Sequence, residues 1–287
     1  MSRHLGASAI LLLILCAGGV ARLSAGAANT RAQEGSADSG VPSCGELRRR
    51  GAEFEPLAQA CEYALALPRT LPDLVCTESV KRFLSPQQKK PDTITAELTV
   101  EKMHSHYAAV MVNGKPAATG GNAGKPEDEL FANLVGPTGD FALLFNVFNG
   151  ASHTEFTAPV DAVLDHRHVR RYDFRVRREN NLNWTWFFVG ASLNPGYHGS
   201  LFVDGRTGEV ARLVLQVDST EVDPGTPVSE ATTTLDYGGV AISGLGTQHV
   251  PLRGENLSCL RGSLGCMRVT LAFSDFHKFG VATRIVP

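Results

Sequence analysis

Tryptophan occurs only twice in the 287 residues and methionine only four times, and neither charge sign dominates: 27 basic side chains stand against 29 acidic ones, a net charge of -2. So even a balance removes the electrostatic basis for nucleic-acid binding, which needs a basic face to neutralise phosphates. Catalytic signatures are missing as well. The chain has no Gly-x-Ser-x-Gly, no His-Glu-x-x-His and no Cys-x-x-Cys, the spacings that present an acyl nucleophile, a zinc pair or a redox dithiol. Gly120-Gly121-Asn122-Ala123-Gly124-Lys125 is the nearest approach to a phosphate loop. Its spacing is wrong, and Pro126 stands where Ser or Thr would meet magnesium. It reads as a surface loop. No catalytic residue, metal site or cofactor is expected from these absences.

Glycine (29) and proline (15) are abundant, which tilts the chain toward strands and turns. At the N-terminus, Met1-Ser2-Arg3-His4 is a short basic start and Leu5 to Val20 is apolar. That stretch falls short of the ~20 residues of a comfortable membrane span. Ala25-Gly26-Ala27 then offers small residues for a signal peptidase, so cleavage is expected near Ala27 and the protein is expected to be exported, periplasmic or secreted. An uncleaved anchor and a lipoprotein signal at Cys16 are the alternatives; Leu15 before Cys16 speaks against the second. Losing Arg3 and Arg22 with the leader takes the net charge from -2 to -4.

Cys44, Cys61, Cys76, Cys259 and Cys266 remain. In an oxidising compartment they are disulfide candidates before they are metal ligands. Cys259 and Cys266 flank a glycine-bearing turn and would face each other across a hairpin. Cys44 and Cys61 could not pair along one unbroken helix, whose ends would lie ~25 Å apart. Gly51 and Pro56 could break that helix, so the pairing among Cys44, Cys61 and Cys76 stays open.

Residues 28–42 are small, polar and aperiodic and read as a disordered lead-in to a single domain, 43–287. Ser43-Cys44-Gly45-Glu46 matches a capping box, and Leu47, Phe54, Leu57, Ala58, Cys61, Ala64 and Leu65 follow at helical spacing, ended by Pro68 and Pro72. Period-two patterns then predict strands from Leu74, over 94–100, and from Tyr107 to Val112 closed by Asn113-Gly114. Pro126 opens a short helix, and the apolar segment Phe141 to Phe148 should be covered on most sides. Further strands are predicted near 154–158, 167–178, 184–192, 198–204, 209–221, 230–242, 247–257 and 267–278. The fold class is mainly β (α+β): a large curved antiparallel sheet or half-barrel of about ten strands, with an N-terminal helix and inserted short helices covering its concave face.

Val203-Asp204-Gly205-Arg206-Thr207-Gly208-Glu209-Val210 resembles the Asp-x-x-Thr-Gly hairpin that many LolA/LolB/RseB-type envelope proteins place before a long strand. The chain is also similar, over Leu71-Pro72-Asp73-Leu74-Val75-Cys76, Val112-Asn113-Gly114-Lys115, Thr138-Gly139-Asp140-Phe141 and Ala231-Thr232-Thr233-Thr234-Leu235-Asp236-Tyr237, to uncharacterised exported proteins of soil bacteria. The resemblance implies a non-enzymatic envelope protein with an apolar cavity between sheet and helices. Its ligand would be a lipid or lipoprotein acyl chain. The resemblance carries over no ligand residue; the apolar Phe141, Leu144, Phe145, Phe148, Trp184 and Trp186 of this chain are the candidates for the lining. The alternative is an envelope interaction or sensor domain with a filled core and a protein partner. For that reading the candidate surface is the charged strand, on which Arg167, Arg171, Arg175 and Arg177 share a face with Asp165 and Asp173. His104 with His106, and His166 with His168, are spaced to share strand faces but have no acidic or sulfur ligand spaced with them.

Overall fold

The computed structural model describes residues 44–85, 87–117, 140–181, 184, 186–188, 191–217, 228–261 and 265–279. The chain divides into Met1–Asp38 and Ser39–Pro287, and every described residue belongs to the second unit.

Gly51 decides how the chain begins. Helix α1 (Cys44–Arg49) stops before it, Gly51 takes φ 138°, a 3-10 turn follows over Ala52–Phe54, and α2 (Glu55–Thr70) starts with Pro56 in its first turn. Proline is tolerated there because its missing N–H has no partner in the helix. The break folds α1 back along α2, bringing Cys44 and Cys61 to a Cα separation of 5.6 Å, and the two are disulfide-bonded. Arg48 reinforces the same junction with ion pairs to Glu55 and Glu62. Pro68 does not end α2 as expected. The last turn closes around it, with Leu71 N–H donating to Leu67 O and Thr70 Oγ1 to Ala66 O. Ser43 and Pro126, with the helix expected after it, lie outside the described residues.

Strands β1 (Leu74–Phe83), β2 (Asp92–Glu101), β3 (His104–Val112) and β4 (Lys115–Pro116) form a meander. Asn113 and Gly114, at φ 51° and 76°, make the tight turn their sequence predicts. Helix α3 (Asp140–Phe148) precedes β5 (Glu155–Phe156), β6 (Val160–Leu164) and β7 (Arg167–Val176). The expected strand at 184–192 is instead a small separate hairpin, β8 (Trp186–Phe188) with β9 (Ala191–Leu193). Long strands complete the chain: β10 (Tyr197–Val203), β11 (Val210–Val217), β12 (Val228–Ile242), β13 (Gly246–Leu260) and β14 (Cys266–Lys278).

Among the described residues, twelve strands share one antiparallel sheet in the order β4-β3-β2-β1-β14-β13-β12-β11-β10-β7, with β5 and β6 both on the far edge of β7. The count exceeds the ten expected partly because β6 follows Pro159 and contains Asp161, a poor strand signal. β1 lies between its chain neighbour β2 and the C-terminal β14.

One face of this sheet is apolar in two parts. The small residues of α2 (Ala58, Ala60, Ala64) let it approach closely, and α1, α2 and α3 bury the inner faces of β7, β10, β11 and β12. A second cluster joins β1, β2 and β14 with Val110, Val250 and Phe141. α3 serves both, giving Phe141 to one and Leu144 and Phe148 to the other.

Cys259 and Cys266 occupy directly opposite positions on β13 and β14 and are bonded. Replacing Cys44 and Cys61 together by serine is expected to lower the unfolding free energy by about 3 kcal/mol, and replacing Cys259 and Cys266 by about 2.5, the chain-entropy values for loops spanning 17 and 7 residues. Denaturant titration of each double variant measures both.

Candidate functional site

Four of the six proposed lining residues, Phe141, Leu144, Phe148 and Trp184, fall in the core. Phe141, Leu144 and Phe148 are at most 4% exposed, with Phe145 half-buried beside them. Phe141 meets Phe273 edge-on at 5.4 Å between ring centres, and Phe148 stacks on Phe156 at 5.5 Å. Trp184 is buried against Tyr197 at 4.8 Å. Asn181 fixes it there: its Oδ1 accepts from Trp184 N–H at 2.8 Å, while its Nδ2 donates to the carbonyls of Trp184 and Pro195. The side chain of Trp186 lies outside the described residues.

The charged strand is β7, and alternation divides it as its sequence predicts. Tyr172, Phe174 and Val176 are buried, while Arg171, Asp173 and Arg175 face outward. Asp165 and His166 depart from that alternation, because both sit in the β6–β7 turn at φ 47° and 64°. Register sets Ser200 opposite Asp173 and His198 opposite Arg175. Ser200 Oγ donates to Asp173 Oδ1 at 2.5 Å, and Arg171 Nε lies 3.1 Å from the same carboxylate. These side chains, with Glu155 and Gln216, line a cleft of about 650 Å³ on the outer side of the sheet. A second cleft of about 630 Å³ shares Glu155 with it and adds Arg50, His153, Arg177 and Glu179. Arg177 pairs with Glu155 at 3.3 Å, and Arg167 is exposed at the start of the strand.

Solved structures similar to this chain include a LolA superfamily protein and MucB. A LolA superfamily protein from Nitrosomonas europaea aligns with 78% of this chain and 93% of its own, at 9% identity and a TM-score of 0.31. MucB in complex with MucA(peri) aligns over 75% of this chain and 92% of its own, at 10% identity and a TM-score of 0.19. The Pseudomonas aeruginosa MucA/MucB complex gives the same coverage and identity at 0.18. No family model matches the chain, and no curated protein does.

Sequence reading missed a second charged centre on the outer face. Asp236 on β12 accepts from Arg212 Nε on β11 and from Arg253 Nε on β13, each at 2.5 Å. Asp165 reaches the same two arginines at 4.0 and 3.5 Å. Register sets Asp236 directly opposite both Arg212 and Arg253, beside the shift between Asp236 and Tyr237, a pairing across three strands that residue types alone do not carry.

The histidine pairs stay apart in the strand order. His104 and His106 lie on β3, and His166 and His168 lie in and after the β6–β7 turn, with β2, β1, β14, β13, β12, β11 and β10 between β3 and β7. Among the described residues no three His, Cys, Asp or Glu side chains gather as metal ligands would. Cys76 is a buried free thiol; burial, with Glu78 nearby, pushes it up to about 12, so it stays protonated at neutral pH.

Proposed function

We propose that the protein is an exported, non-enzymatic interaction domain of the cell envelope, with a filled core, that holds a partner protein against the outer face of β7 and β10. One contrast carries the reading. Phe141, Leu144, Phe148 and Trp184 are packed into the core, while the 650 Å³ cleft opens outward and sets Glu155, Arg171, Asp173 and Arg175 around an apolar floor of Phe156 and Phe174. An open cleft with paired charges around an apolar floor suits the mixed side chains of a protein better than an acyl chain, which needs an enclosed apolar cavity. The leader-like residues 1–27, the polar stretch 28–42 and the domain from 43 onward fit export, and two disulfides fit an oxidising compartment.

Native mass spectrometry of the mature protein, released from the periplasm without detergent, is the first test. A bare polypeptide mass is the expected result; a stoichiometric lipid adduct overturns the reading in favour of an acyl-chain carrier. A photo-cross-linker at position 198 is expected to trap a discrete protein in the envelope. Charge reversal by Arg171→Glu with Arg175→Glu is expected to abolish that product without unfolding the domain, and trapping that survives it removes the charged face from the proposal.

A further inference from the structure

An open sheet has two ends, and a free end is a template for another strand. This chain treats its two ends differently. At one, β4 is only Lys115 and Pro116, a charge followed by a residue with no N–H to donate. Behind it β3 is bulged, with Ala109 at φ 49° and a register shift against β2. At the other end, β6 pairs with β7 on one side and, among the described residues, with nothing on the other. Its side chains are Val160, Asp161, Ala162, Val163 and Leu164. Val160 is 53% and Val163 65% exposed, two of the four large apolar side chains exposed among the described residues. Asp161 is its only charge.

The strand behind this edge selects what can join it. Arg167, Arg170 and Arg171 of β7 stand opposite Leu164, Asp161 and Val160, and His168 stands opposite Val163. Arg171 is engaged by Asp173, and Asp165 by Arg253. Arg167 and Arg170 still outnumber Asp161. A second copy of the chain would bring this net positive edge against its like, whereas an acidic strand would be drawn to it.

We propose that β6 is a docking edge that takes an extended acidic segment of a partner protein as a further strand of the sheet. The main chain of residues 160–164 supplies the hydrogen bonds. Val163 receives apolar side chains on one face, and Arg167, on the face shared by Val160 and Leu164, attracts the carboxylates on the other. The proposal rests on the interaction-domain reading and names the chemistry of the partner.

The test uses the full mature chain and a capped peptide of four Val-Glu repeats, with a Val-Lys peptide of equal length as control. Amide hydrogen exchange across 160–164 is expected to slow about tenfold at saturating Val-Glu peptide, with the Val-Lys peptide binding about tenfold more weakly. Val163→Ser, a charge-neutral change at an exposed position, is expected to weaken Val-Glu binding about tenfold at an unchanged melting temperature. Asp161→Asn is expected to tighten it. Three results overturn the proposal: no protection at 160–164 with millimolar Val-Glu peptide, equal binding of the two peptides, or protection that grows with protein concentration when no peptide is present, which assigns the edge to a second copy. If the peptide fails while cross-linking at position 198 still traps a partner, the interaction-domain reading stands and the docking edge does not.

Discussion

Asp236→Asn is expected to lower stability at neutral pH by about 2–3 kcal/mol. The carboxylate side chain is only 16% exposed and joins Arg212 on β11 to Arg253 on β13 by accepting a hydrogen bond from each. Removing its charge leaves Arg212, itself 25% exposed, with Asp165 at 4.0 Å as its remaining anion. Asp165→Asn is the internal control. That side chain is 58% exposed, so its loss is expected to cost under about 1 kcal/mol. The pH dependence separates charge from packing. Burial raises the Asp236 carboxyl, but the hydrogen bonds from Arg212 and Arg253 outweigh it, and the net direction is below the ordinary value. A carboxyl depressed in the folded state contributes stability above its unfolded value, near 4, and loses that contribution as pH falls through the folded value. The gap between the native protein and Asp236→Asn is therefore full at neutral pH and closes as the solution is acidified below about pH 4. Urea unfolding of both proteins across that range is the measurement. A gap that persists in acid means the asparagine disturbs packing rather than charge.

Gly208→Ala is expected to be as damaging, by about 2–4 kcal/mol, for two independent reasons. Gly208 sits at φ 71°, a left-handed conformation that disfavours a side chain. It also touches α2: a Cβ there would lie 2.4 Å from Gln59 Cβ and 3.2 Å from Pro56 O. The β10–β11 turn cannot easily move away, since Asp204 N–H donates to Glu209 O, Gly208 N–H donates to Asp204 O, and Asp204 Oδ1 accepts from the backbone of Arg206 and Thr207. Combining Gly208→Ala with Gln59→Gly removes the collision with Gln59 but not the close approach to Pro56 O or the backbone strain. The double variant is expected to lose less than the two single losses added together, a coupling of at least about 1 kcal/mol in a double-mutant cycle. Strict additivity would show that the helix contact contributes nothing and that strain alone sets the cost.

That turn was legible in the sequence as a hairpin signal; its contact with α2 was not, because it depends on where the helix lies. The same division runs through the fold. Alternation of apolar and polar residues marked β1, β2, β7, β11 and β12 and assigned the faces of Tyr172, Phe174 and Val176, since a half-buried strand leaves a period of two. β6 was hidden by Pro159 and Asp161, and β8–β9 by an aromatic run that suits a strand and a hairpin equally. Composition made Phe141 to Phe148 a covered segment, and the segment is covered. Whether such residues line a cavity or fill a core is a matter of volume, which no pattern of residue types carries. The Asp236 centre is non-local in the same sense, drawing charges from three strands and a turn.

The place of β1 has a consequence for how the polypeptide is made. β1 pairs with β2 just after it and with β14 nearly 200 residues later, Glu78 lying opposite Phe273. A ribosome adding about 5–20 residues per second needs roughly 10–40 s to cover that interval. Through that time β1 has a partner on one side only, and the buried side chains of Glu78 and Arg82 cannot yet occupy their final surroundings. The order of synthesis thus holds the sheet open until its last strand arrives, leaving the nascent chain threadable and dependent on whatever shields an unfinished β-strand.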